Sequence, residues 1–180
     1  RVQVTLDSIG DAVITTDAQG CIDYMNPVAE SLTGWPSAEA RGWPAGEVFR
    51  VVHEETRVPA KDPIKLCLVE QRIVSLSGHR VLLARDGREY DINDSAAPIH
   101  LGDGGLQGVV LVFHNVTENR QLARQLAHDA THDALTGLIN RAEFERRLER
   151  AVSSAQDEGA RQVLCYIDLD QFKVVNDTAG

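Results

Sequence analysis

The stretch Thr16–Trp35, "TDAQGCIDYMNPVAESLTGW", sets the terms for everything around it. Read with the residues just before it, "DAVITTDAQGCIDYMN" consists of two alternating strand-like runs joined around Gln19-Gly20, the pattern of a hairpin. Pro27 then suits the first turn of a helix, Gly34 suits its exit, and Pro36 can open another helix. Residues 37–73 are weakly helical and interrupted by Gly42, Pro44, Pro59 and Pro63. Their clearest piece is "DPIKLCLVEQRIV", with Asp62 as N-cap, Pro63 at the first position, and Ile64, Leu66 to Leu68 and Ile73 apolar.

Strands return at 79–85 and 88–98, joined by "RDGR", where Asp86-Gly87 is a strong hairpin turn. A second turn, "LGDGG", leads into "LQGVVLVFHNV". There Val109, Leu111 and Phe113 share one face while Val110 and Val112 share the other, which suits a central strand covered on both sides. Two strands, several short helices and three antiparallel strands make an α+β domain with helices on one face of the sheet.

Bulk composition sets outer limits. With 180 residues the chain has room for one domain and part of another. The net charge of −9 argues against a surface that binds a nucleic acid polymer or anionic lipid electrostatically. An acidic protein still binds a nucleotide when a metal ion screens the phosphates. No stretch approaches the roughly 18 apolar residues of a membrane span. The chain opens on Arg1 rather than a methionine, so a preceding piece is expected. Cys21, Cys67 and Cys165 lie far apart in apolar runs and read as reduced core cysteines of a cytoplasmic protein.

The order of elements resembles the PAS sensor domain family over residues 2–118, carried by Thr16–Trp35, "RDGREYDINDSAAPI" and "GVVLVFHNVTE". The resemblance implies a PAS fold with a five-stranded antiparallel sheet. It also implies a domain over 1–118 that holds haem, flavin, a small metabolite or nothing. Residues 62–73 contain no His to ligate haem iron, and the flavin-adduct Cys motif of light sensors is absent. His53 reads as a solvated residue, Cys67 as packing, and Trp35 and Trp43 as structural at helix junctions. The ligand question stays open. The family's closing motif is usually Asp-x-Thr; here it is Asn115-Val116-Thr117, which keeps hydrogen bonding but not charge.

Residues 119–132 form the connector, in a helix for which Thr117 is a plausible N-cap and Glu118 lies in the first turn, where its charge suits the helix dipole. Leu122, Leu126 and Ala130 make one apolar stripe, the spacing of a packed surface helix or of a helix paired in a dimer. The resemblance favours a homodimer through the PAS domain and connector.

Beyond it, "THDALTGLINRAEFERRLERAV" carries Asn140 as N-cap with Glu143 at capping-box spacing. Phe144, Leu148, Ala151 and Val152 fall on one helical face. A polar loop is expected over 153–161, then a buried strand at "VLCYI", with Asp168 and Asp170 where it ends. Carboxylates at that edge suit a hard cation such as Mg²⁺, which takes oxygen ligands and usually keeps substrate phosphates as well. The plainer alternative is that an Asp there caps the next helix; Asp170 can do so, leaving Asp168 for the metal. Lys173 and Asn176 share one side of a helical turn, where a cation suits phosphate and an amide suits a base edge.

"HDALTGLINRAEFERRL" followed by "YIDLDQFKVVND" resembles the opening of a GGDEF domain, the catalytic domain of diguanylate cyclases. That implies a truncated α/β domain of the nucleotide-cyclase-like type over 133–180. It further implies Mg²⁺ on Asp168 and the Leu169 carbonyl, phosphate contacts at Phe172 and Lys173, and guanine readout by Asn176. Asp133 and Arg141 would brace the entry turn. The expected reaction condenses two GTP into cyclic di-GMP across a dimer. The motif that names the family would lie past Gly180, so this chain alone is expected to be catalytically incomplete. The alternative is a sensor and dimerisation module serving a degenerate GGDEF domain or a downstream cyclic di-GMP phosphodiesterase.

Overall fold

A computed structural model describes residues 10–76, 78–102, 104–159, 161–168, 170 and 177–178. The chain divides into two compact units, Arg1–Arg124 and Gln125–Gly180.

The first unit is built on one antiparallel sheet. Its strands are β1 (Ala12–Asp17), β2 (Ile22–Met25), β3 (Val51–His53), β4 (Val74–Ser75), β5 (Arg80–Leu83), β6 (Glu89–His100) and β7 (Leu106–Asn115). The order across the sheet is β2-β1-β7-β6-β5-β3, with β4 pairing to β6 off this path. The five strands expected from the sequence are present, and the short β3 and β4 are added to them. Four helices accompany the sheet: α1 (Pro27–Thr33), α2 (Ser37–Ala40), α3 (Ala45–Val48) and α4 (Pro63–Glu70).

Local chemistry explains the joints. At the first hairpin the Asp17 carboxylate accepts from the N–H groups of Gln19 and Cys21, both at 2.9 Å. Gly20 takes φ 82°, a conformation that costs glycine nothing. Asn26 ties hairpin to helix. Its Oδ1 accepts from Ala29 N at 2.9 Å as N-cap of α1 and from Val13 N at 3.0 Å, while its Nδ2 donates to the Asp11 carbonyl at 2.8 Å. Gly34 ends α1 in the left-handed region, and Asp62 caps α4 by accepting from Ile64 N and Lys65 N.

The core lies between sheet and helices. Ile14, Leu82, Ile92, Ala96, Val109, Leu111 and Phe113 come from the sheet, and Ala29, Leu32, Val48, Ile64 and Cys67 come from the helices; all are buried. β7 is central as expected and its Val109 face is fully buried, but Val110 and Val112 on the other face are only half-buried. Two charged residues share the core side. Arg80 and Asp94 are buried, and Arg80 Nη1 donates to both carboxylate oxygens at 2.6 and 2.7 Å. Arg80 Nη2 donates to the Lys61 carbonyl at 3.0 Å. Desolvation pushes the Asp94 carboxyl above the usual range, against the opposing pull of the Arg80 guanidinium.

Four expectations need correction. Of the three cysteines read as core, only Cys67 is buried; Cys21 is partly covered and Cys165 is exposed. The segment after Asp62 is not helical as far as residue 73: Gln71 turns left-handed at φ 49° and the chain enters β4. In the second unit, the expected polar loop at 153–161 is largely helix, because α6 (Arg141–Glu158) meets no breaker before Gly159 at φ 68°. The expected buried strand at 163–167 is neither strand nor buried; Val163, Tyr166 and Ile167 are 89%, 92% and 86% exposed. A strand is stabilised by a neighbour that takes its backbone hydrogen bonds, and no described residue provides one here.

Candidate functional site

Helix α5 (Thr117–Asp129) begins one residue after β7 ends. The register places Ile92 of β6 opposite Asn115, so Asp91 lies beside the start of the helix. Val116 N donates to the Asp91 carbonyl and Asp91 N donates to Thr117 Oγ1, both at 2.8 Å. Asn115 Oδ1 accepts from Thr117 N at 2.9 Å. Farther along, Arg120 Nη1 lies 3.4 Å from Asp91 Oδ1, its Nη2 lies 3.3 Å from Asn93 Oδ1, and Arg124 pairs with Glu54. Leu122 and Leu126 of the predicted stripe are exposed.

A recess of about 330 Å³ opens between α3, α4 and β3, with Phe49, Val52, Ile64, Leu68 and Arg80 among its walls. None of the residues weighed as ligand contacts, namely His53, Cys67, Trp35 and Trp43, lines it. The two indoles instead pack on each other at 5.4 Å, with the Arg85 guanidinium 4.2 Å over Trp35. Burial pushes the Cys67 thiol up, which suits a packing residue better than a thiolate ligand.

In the second unit Asp133 closes a turn. Its Oδ1 accepts from Thr136 Oγ1 at 2.8 Å and Thr136 N at 2.9 Å, and these bonds hold its carboxyl below the usual range. Arg141 reaches Glu145 on its own helix at 2.7 Å. Asn140 caps α6 by accepting from Glu143 N at 3.0 Å. The Glu143 carboxylate turns away from the capping-box return bond to pair with Arg147 and Arg146, which likewise depress its pKa. Both carboxyls are depressed on folding, so their contribution is present above the ordinary carboxylate range and lost as pH falls below it. Circular dichroism at 222 nm should therefore report fraying of α6 as pH drops below about 4; a signal unchanged below that pH would contradict the Glu143 contacts.

Asp168 is exposed, and Leu169, Phe172, Lys173 and Asn176 lie outside the described residues. Among the described residues no group of three or more His, Cys, Asp or Glu could hold a metal ion. Asp168 presents its carboxylate to solvent, the oxygen donor type that hard cations take. Among the described residues no helix is long and apolar enough to cross a membrane.

An antiparallel sheet closed by short helices, with its last strand passing through the Asn115–Thr117 corner into an outgoing helix, defines an α+β domain with an attached helix. Residues 1–116 match the family model described as "PAS fold", and the chain belongs to that family. Residues 130–180 match part of the "Diguanylate cyclase, GGDEF domain" model. The PAS domain of a protein from Colwellia psychrerythraea shares the fold, with TM-score 0.50 and 22% identity, over 65% of this chain and 95% of that one. Similar in sequence along the whole chain are the "Probable diguanylate cyclase DgcE" of Escherichia coli (strain K12), 40% identical, and the "Cyclic di-GMP phosphodiesterase PdeB" of Shewanella oneidensis, 34% identical. The chain spans only 16% and 20% of the length of these two relatives.

Proposed function

We propose that residues 1–118 sense a signal and control a diguanylate cyclase whose GGDEF domain begins at residue 133, through a connector over 119–132. The observation that carries this reading is the direct passage from β7, the central strand, into α5. A displacement of the sheet then has a covalent and hydrogen-bonded route into the helix that leads toward the catalytic segment.

In the complete enzyme two GTP-loaded domains face each other in a homodimer, and the connector sets whether they meet. A signal shifts that balance only by binding the two arrangements differently. Mg²⁺ on Asp168 and the Leu169 carbonyl would neutralise the phosphates. Phe172 and Lys173 would meet the phosphates, and Asn176 would read guanine. Asp133 would brace the turn that enters the domain. The match to a phosphodiesterase favours a second reading, in which the same module regulates a domain that breaks cyclic di-GMP down.

The whole protein incubated with GTP and Mg²⁺ should accumulate cyclic di-GMP, and chelation with EDTA should stop it. Consumption of added cyclic di-GMP, with no synthesis from GTP, would select the second reading.

A further inference from the structure

Asp91 faces outward from β6 and yet is 9% exposed, because α5 covers it. Its backbone and carboxylate together serve four residues of the chain leaving the sheet. Val116 and Thr117 bond its main chain, Arg120 meets its Oδ1, and Arg124 comes to 4.0 Å from its Oδ2. The Arg120 side chain is itself mostly covered, at 19% exposure. Screening is weak for a pair so enclosed. Asn115, at the corner, is neutral and uses its Oδ1 on Thr117 N, so the negative charge at this junction comes from the neighbouring strand. By contrast, the pair between Glu54 and Arg124 is solvent-facing and shared with His79 at 3.3 Å, the type of contact that contributes little.

We propose that Asp91 is the positioning residue through which the sheet sets the angle of the connector helix, with the Arg120 guanidinium as its partner. This rests on the reading that the signal leaves through α5. Asp91 does not hold the domain together: its side chain lies on the opposite face of β6 from Ile92, Asp94 and Ala96 in phase with the core. Its removal frees the helix without opening the fold.

The test uses the whole protein with Asp91→Asn, Arg120→Met and Arg120→Lys, read by amide hydrogen exchange and by steady-state kinetics of cyclic di-GMP synthesis. Asp91→Asn and Arg120→Met should speed exchange over residues 118–124 by roughly 5- to 30-fold, the factor that a loss of about 1–2 kcal/mol produces. Amides of β1 and β7 should keep their rates. Arg120→Lys, which keeps the charge, should recover much of the protection. In the same variants kcat should change while KM for GTP stays, because the substrate site is untouched. Unaltered exchange in α5, an equal acceleration in β1 and β7, or a loosened helix with unchanged kcat would each overturn the assignment. Absence of synthesis by the unsubstituted protein would instead sink the cyclase reading, and the exchange measurement would still decide the role of Asp91.

Discussion

Gly108→Ala should unfold the first unit at a much lower temperature than the unsubstituted protein. Gly108 lies in β7 opposite Asp17 of β1, where the two backbones come unusually close. A Cβ added there would sit 1.8 Å from the Thr16 carbonyl oxygen and 2.8 Å from its carbon. Neither is the tip of a flexible side chain, so relief requires the end of β1, where its ladder with β7 closes at Asp17, to part from β7. Overpacking of a well-packed site typically costs 1–3 kcal/mol, and a backbone collision belongs at or above about 3 kcal/mol. For a domain of this size that lowers Tm by roughly 10–20 °C. Gly102→Ala, with open space around the added carbon, is the matched control and should leave Tm unchanged. A Gly108→Ala protein that melts with the control would show that the strands are not so closely apposed.

Asp94→Ala should be comparably severe for a different reason. It strands the Arg80 guanidinium, 1% exposed, without its carboxylate. Breaking one side of a buried pair costs about 3–5 kcal/mol, most of it the penalty of an uncompensated charge. The companion change Arg80→Met with Asp94→Leu removes both charges and should return most of that loss, since apolar replacements of buried pairs are often neutral or stabilising. Urea denaturation of the two proteins distinguishes the cases. Equal destabilisation of the single and double variants would mean that side-chain volume, not charge, dominates at this place. Little salt dependence is expected in either, because screening acts weakly on enclosed pairs.

That pair also marks a limit of what the sequence revealed. Charged residues within strands 79–85 and 88–98 read naturally as solvent-facing, yet Arg80 is in phase with Leu82, and Asp94 with Ile92 and Ala96, at the two-residue period of a strand. That phase was the available signal. Hairpins at Gly20 and Gly87, the proline-led helices at 27 and 63, and the Asp62 cap were legible because each depends on local backbone chemistry; the Asn26 cap emerged only with the structure. β3 and β4, three and two residues long, were not, because pairing with β5 and β6 creates them. The same non-local dependence defeated the reading of 163–167 as a strand: apolar, β-branched residues fit a sheet only when one is there to receive them. The second domain was legible as a pair of motifs, and the family model matches there over residues 130–180. The anchoring carboxylate of Asp91 was invisible for a related reason, since only strand register brings it beside Thr117.

Helix α5 is gripped near its base by Thr117 and Arg120, and from residue 121 to its end its side chains are exposed. That is a lever with a short clamped arm. Thirteen residues at 1.5 Å rise make it about 20 Å long, so a tilt of roughly 10° at the clamp sweeps the tip by about 3 Å. Mechanical gain of that order lets a sheet that moves by less than an atomic diameter produce a displacement as long as a hydrogen bond at the far end.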